Sequence, residues 1–252
     1  MSRSYLVCWA GAVLIGALGC TSARYSRAVE EVCGNQAQHA AVVPVTRPHQ
    51  VWMDRHLQLL ERIKQGNVDL LFIGNSITQR WESSGIQAWE RYYGHRNAVN
   101  LGVDGDGTQH VLWRLDHGEI DGIAPKLAVL LIGSNHVNGY LPSEIADGIK
   151  AICCRLRKKL PDTKILLLGI LPRGDATAAA AYRLNKASEL ASAVADNRMI
   201  FYLNVSERFL AEDGSVSSEL TTVDNVHLSP KGYETLGAAL EPTISRLLDE
   251  HR

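Results

Sequence analysis

Short, mainly apolar runs recur along the chain at Val68–Ile73, Ala98–Leu101, Leu127–Ile132, Lys164–Leu168 and Met199–Leu203. Their length and the glycine or polar residues that bound them mark strands. Between the runs the apolar positions take helical spacing, around Ile86–Tyr93, Thr108–Leu115, Ser143–Leu160 and Ala178–Asp196. His49–Lys64 has the same character ahead of the first run, with Trp52, Leu57, Leu60 and Ile63 as its apolar positions. A last helix is expected to start at Ser229-Pro230, a good N-cap followed by proline at the first helical position. It continues through Tyr233, Leu236, Leu240, Ile244 and Leu247. Strands alternating with helices predict an α/β fold whose sheet is parallel and covered on both faces. Ligands in such folds bind beyond the carboxyl ends of the strands, so the polar stretches that follow each run are where chemistry is to be sought.

The N-terminus departs from this pattern. After Arg3 comes a mainly apolar or small stretch ending in Ala17-Leu18-Gly19-Cys20. It falls short of the roughly 20 apolar residues of a comfortable membrane span and fits the apolar region and small-residue cleavage site of a secretory signal. Its Gly-Cys end resembles a bacterial lipobox, although Leu18 stands at a position where that residue is atypical. Residues 1–20 are therefore expected to be a lipoprotein-type signal, with Cys20 the lipidated first residue of a membrane-anchored protein facing the periplasm or cell surface. Plain cleavage with secretion, and an uncleaved anchor, are the alternatives. Residues 21–48, small and polar with Pro44 and Pro48, read as a linker, and residues 49–252 as one domain.

Composition narrows the class. The 252 residues are 46% hydrophobic and 21% charged with a formal net charge of -1, ordinary for a globular domain. That charge gives no case for a nucleic-acid partner, which calls for a basic face. Five cysteines do not make a disulfide scaffold in a chain this long. Cys8 falls within the signal, and Cys153 and Cys154 lie on or beside the stripe Ile145, Ile149, Ile152, Leu156, Leu160 and read as core; Cys33 has no assigned role. Without a CxxC pair or ligand-spaced Cys/His cluster, neither structural zinc nor another cofactor is expected. The stretch "DGDGTQ" half-resembles a calcium loop, but it lacks the glycine at loop position six and puts Leu115 at position twelve, which argues against calcium.

The first run ends in "LLFIGNSITQRW", where a buried strand delivers Ser76 into the open. Ser76 is either the cap of the next helix or a nucleophile, and a serine nucleophile needs a base. His227, in "TTVDNVHLSP" just before the last helix, has the best setting. It lies three residues after Asp224, a spacing that lets the side chains meet and the carboxylate hold the imidazole's tautomer. Acyl transfer also needs donors for a developing oxyanion. The Ser76 amide, the glycines of "NLGVDGDGTQHVLWRL" and the side chain of Asn135 in "LLIGSNH" each follow a strand and can supply them. Taken singly, those glycines and that asparagine are ordinary turn residues.

Taken in order, these stretches resemble the SGNH (GDSL-like) hydrolases, and within them the catalytic subunits of intracellular platelet-activating-factor acetylhydrolase and their bacterial relatives. The resemblance runs from about Val68 to Leu248, and "NLGVDGDGTQHVLWRL", "LLIGSNH" and "LLLGILPRG" carry most of it. It implies a three-layer α/β/α sandwich with a five-stranded, mostly parallel, flavodoxin-like sheet. It implies Ser76 as nucleophile, Asp224 and His227 as its partners, and an oxyanion hole of the Ser76 amide, Gly105 and Asn135. Three positions depart from the family pattern. Asn75 replaces an aspartate, Asp104 replaces a glycine, and His136, expected to contact substrate, follows Asn135 where a smaller residue is common. The implied activity is metal-independent hydrolysis of short-chain esters, with acetyl the expected acyl group. The export signal favours a glycan ester as substrate over a platelet-activating-factor-like phospholipid or a thioester. A glycan-binding surface lipoprotein without turnover is the rival from another class.

Overall fold

The computed structural model describes residues 33–34 and 38–250. The expected signal, including Cys8 and Cys20, lies outside the described residues. Five strands form one sheet: β1 (Leu70–Gly74), β2 (Ala98–Gly102), β3 (Leu127–Leu131), β4 (Lys164–Leu168) and β5 (Ile200–Leu203), in the order β2-β1-β3-β4-β5. Every neighbouring pair is parallel. Helix α1 (Gln50–Lys64) precedes the sheet. The connections carry α2 (Ser76–Gln79), α3 (Ile86–Tyr92), α4 (Thr108–Asp116), α5 (Pro142–Lys159) and α6 (Ala178–Ser192), and α7 (Pro230–Leu247) closes the fold. The elements match the sequence expectation in kind and, within a few residues, in extent.

Pleating explains why the central strands are apolar throughout. Leu71 and Ile73 of β1 face one core with Trp52, Leu59, Leu112, Ile149 and Leu184, from α1, α4, α5 and α6. Leu70 and Phe72 face the other with Ala88, Tyr233, Leu236 and Leu240, from α3 and α7. Successive side chains of a strand point to opposite faces, so a strand sandwiched between two helical layers has no polar side to present. Helix α7 starts as expected: the Ser229 hydroxyl accepts the Gly232 N–H at 3.1 Å, and Pro230 occupies the first turn.

Two expectations need correction. The C-terminal part of the presumed linker is docked on the domain. Ala41 is fully buried, its carbonyl accepting the Thr108 hydroxyl at 2.7 Å, and the Val45 N–H donates to the Gln109 carbonyl at 3.3 Å. Small residues made this segment look unstructured, yet a short chain can dock through backbone groups alone, which leave no signature in side-chain patterning. The cysteines also differ from expectation. Cys153 is a buried free thiol as expected, whereas Cys154 and Cys33 are each disulfide-bonded.

Candidate active site

The turn after β1 shows which residue caps the next helix. Gly74 ends the strand where a Cβ would collide with the Thr78 side chain and the Leu131 carbonyl. Asn75 then caps α2, its Oδ1 accepting the Ile77 N–H at 3.1 Å while its Nδ2 donates to Ser134 Oγ at 2.9 Å. The capping is thus done by Asn75, and the Ser76 hydroxyl is left for another partner. An aspartate at position 75 could cap equally but could not donate to Ser134 when ionised. From the same side of the sheet, Tyr233 donates its hydroxyl to the Ile77 carbonyl at 2.7 Å and ties α7 to this turn.

That other partner is His227, whose Nε2 lies 2.9 Å from Ser76 Oγ, and whose Nδ1 lies 2.6 Å from Asp224 Oδ2. Asp224 Oδ1 accepts the Val226 N–H, the His227 N–H and the Thr222 hydroxyl at 2.9, 3.0 and 2.8 Å. Desolvation pushes the Asp224 carboxyl up, but the hydrogen bonds from His227, Val226 and Thr222 outweigh it and hold the group well below the usual carboxylate range. An ionised carboxylate can only accept, so the facing Nδ1 carries the ring proton and Nε2 of the neutral ring is free to take the serine's.

The loop after β2 brings the expected oxyanion donors to the same end of the sheet. Gly105 has φ +73, a left-handed conformation that glycine adopts without strain. Asn135, in the turn after β3, donates its side-chain amide to the Asp106 carbonyl at 2.9 Å and joins the two loops. The loop is pinned from below as well. Asp106 is fully buried; its carboxyl accepts Trp52 Nε1–H at 2.6 Å and Arg114 Nε–H at 2.8 Å. Arg114 also bonds Glu119, which lies 2.7 Å from His56 Nδ1, and all of these side chains are buried. Burial pushes the Asp106 carboxyl up to about 6 against the pull of the Arg114 guanidinium. Sequence reasoning missed this network; its only signal is Arg114 facing inward on an otherwise amphipathic helix.

His136 is corrected. It was expected to contact substrate, but it is 1% exposed, and its Nε2 accepts the Thr108 N–H at 2.9 Å at the start of α4. Burial pushes it down to about 4, which keeps the ring neutral and able to accept. Asp104, by contrast, lines a cleft of about 390 Å³ with Ser76, Gln79, Arg80, Glu82 and Ser83. The loop after β4 supports the site from the other side: Arg173 donates to the Ser134 carbonyl at 3.2 Å, and the Gly174 N–H to the Asn225 carbonyl at 2.7 Å. That loop ends the stretch "LLLGILPRG", which carries part of the family resemblance but had been assigned no role in the site.

Residues 72–235 match the model of the GDSL-like lipase/acylhydrolase family. The chain belongs to that family. The human platelet-activating factor acetylhydrolase IB subunit alpha1 is 33% identical to it over 198 residues, 78% of this chain and 84% of that one. Among solved structures, a GDSL-like lipase of Bacteroides thetaiotaomicron superposes with a TM-score of 0.62 at 19% identity, covering 78% of this chain and 97% of its own. A carbohydrate acetylesterase of Sinorhizobium meliloti does so with a TM-score of 0.55 at 17% identity, covering 71% and 99%. These structural likenesses concern the fold. Membership in the GDSL-like family, with an acetylhydrolase subunit among the relatives, makes this chain an ester-hydrolysing enzyme.

Proposed function

We propose that this GDSL-like enzyme is a serine esterase that removes acetyl groups from carbohydrate hydroxyls. The observation that carries the serine mechanism is the continuous relay Ser76 Oγ, His227 Nε2, His227 Nδ1, Asp224 Oδ2, at 2.9 and 2.6 Å. Ser76 Oγ attacks the ester carbonyl as its proton passes to His227 Nε2. The Ser76 and Gly105 amides and the Asn135 side chain hold the oxyanion. Collapse of the intermediate breaks the bond to the alcohol oxygen, which leaves with the proton from Nε2. Water then attacks the acyl-serine, gives a proton to His227 and releases acetate, and Ser76 recovers its hydroxyl proton.

Supporting a carbohydrate is the cleft at the nucleophile, whose walls are Gln79, Arg80, Glu82, Ser83 and Asp104. Such side chains satisfy sugar hydroxyls and would be left desolvated and unpaired against a lipid tail. The carbohydrate acetylesterase among the structural neighbours accords with this reading. The second reading, a platelet-activating-factor-like phospholipid substrate, is favoured by the acetylhydrolase relatives, and a thioester would use the same relay. The deciding experiment measures acetate release by the purified protein from acetylated xylan and from platelet-activating factor, beside acetyl, butyryl and octanoyl p-nitrophenyl esters. Turnover of acetylated xylan and the acetyl ester is expected. Hydrolysis of the phospholipid with no acetate from xylan would overturn the carbohydrate reading.

The working place follows the same logic. We infer export, with Cys20 lipidated and the domain held at a membrane. The apolar stretch before Cys20 supports this, and so do the disulfide-bonded Cys33 and Cys154, since disulfides persist in oxidising compartments.

A further inference from the structure

The segment before α1, whose sequence suggests only a linker, reaches the oxyanion loop. Ala41 and Val45 fasten it to Thr108 and Gln109 at the start of α4. Two residues beyond Val45, the half-buried Arg47 donates from Nη1 to the carbonyl oxygen of Asp104 at 2.6 Å. That carbonyl and the Gly105 N–H are the two ends of one peptide unit. A peptide is planar and trans, so its C=O and N–H point in opposite directions. Whatever holds the Asp104 oxygen therefore aims the Gly105 N–H. The Gly105 N–H has no partner among the described residues, as a donor reserved for a ligand must. On the preceding peptide, the Asp104 N–H donates to Gln79 Oε1 at 2.7 Å, so the loop is held on both sides of Asp104. A Cβ on Gly105 would run into the Arg47 guanidinium, which therefore lies directly over this peptide.

We propose that Arg47 is a positioning residue for the oxyanion hole, fixing the Asp104–Gly105 peptide plane and strengthening the Gly105 N–H as a donor. A charge-assisted bond is stronger than a neutral one. A cation on the carbonyl also withdraws electrons through the amide and polarises the N–H at the other end, the sense in which linked hydrogen bonds reinforce each other. The gain is greatest when negative charge develops on the substrate oxygen, so it is realised in the transition state and not in substrate binding. This inference rests on the reading of Gly105 as an oxyanion donor.

The test compares Arg47→Ala, Arg47→Met and Arg47→Lys with Asn135→Ala on p-nitrophenyl acetate, with each thermal midpoint recorded. Removing an oxyanion donor outright costs about 10² to 10³ in kcat. Losing only its support is expected to cost roughly tenfold in kcat with KM little changed. Arg47→Lys, which can still donate to the same carbonyl, should keep most of the activity, and added guanidinium should restore part of the kcat of Arg47→Ala but not raise that of the wild type. Should Arg47→Ala fail to fold, Arg47→Met keeps the aliphatic stem and carries the same comparison. Wild-type kcat in the Arg47 variants beside a crippled Asn135→Ala would overturn this inference and leave the oxyanion reading standing. A rise in KM alone would overturn it too, by making Arg47 a substrate contact. Unchanged kcat in Asn135→Ala would instead remove the oxyanion reading itself.

Discussion

Asn135 spends one amide hydrogen on the Asp106 carbonyl, 2.9 Å away. The side-chain amide has two, so this bond orients the group while leaving the second hydrogen for an incoming oxygen. Asn135→Ala removes both the donor and the link between the loops after β2 and β3. We expect kcat to fall by about 10² to 10³ with little change in KM, because the bond strengthens only as charge develops. Steady-state kinetics on p-nitrophenyl acetate decides it; a higher KM at unchanged kcat would make Asn135 a ground-state binder.

Ser76→Ala should abolish ester turnover and leave the fold intact. Asn75, not Ser76, caps α2, so the lost hydroxyl costs no more than its bond to His227, about 1 kcal/mol. The thermal midpoint should barely move. Retention of near-wild-type hydrolysis would put the nucleophile elsewhere.

The pH profile should show one ionisation on its acid limb. The Asp224 carboxyl is held below its unfolded value. Its ionised form therefore contributes stability that is present above an unfolded carboxyl near 3.9 and lost as pH falls through the folded-state value. A base that must be neutral to accept the Ser76 proton makes kcat/KM rise with pH to a plateau. A profile that stays flat from acid to alkaline pH would exclude His227 as the base. Asp224→Asn should lower kcat by roughly 10⁴ without unfolding the protein, since it spoils the tautomer and not the packing.

Arg114 lies fully buried between Asp106 and Glu119. Arg114→Met would strand two buried carboxyl groups without their shared cation, and breaking a buried pair from one side costs about 3–5 kcal/mol. Urea denaturation should show a loss of that order. A stability within experimental error of the wild type would mean that the network relaxes or admits water more readily than its burial implies.

Cys20→Ser should release the protein from the membrane fraction with unchanged activity on a soluble ester. The multiple chains expected on a lipoprotein cysteine anchor firmly where a single chain would not. Mass spectrometry of the native N-terminus is the direct check. An unmodified terminus beginning after Cys20 would indicate plain secretion, and an intact Met1 would overturn cleavage.

Much of this enzyme was legible in its sequence because the relevant signals are local. The run Lys164–Leu168 is strand β4 residue for residue, since burying four consecutive positions, Ile165 to Leu168, in so short a segment suits a strand covered on both faces. Ser76 and Asn135 stood out because each directly follows such a strand. The contact of Asp224 with His227 was readable because it spans three residues. The contact of His227 with Ser76 spans 151 residues, and chain order could suggest it only through the family resemblance. What the tertiary structure alone decided concerns charged and polar side chains whose ordinary place is in water. Arg114 is buried because Asp106 and Glu119 are brought to meet it, and His136 is buried where Thr108 offers it an N–H. Arg47 bridges 57 residues to the Asp104 carbonyl. Apolar burial follows from a residue's own chemistry and its neighbours' spacing, but a buried or docked polar group is stable only if a specific partner arrives. Which partner arrives is set by how the layers pack, not by the local pattern.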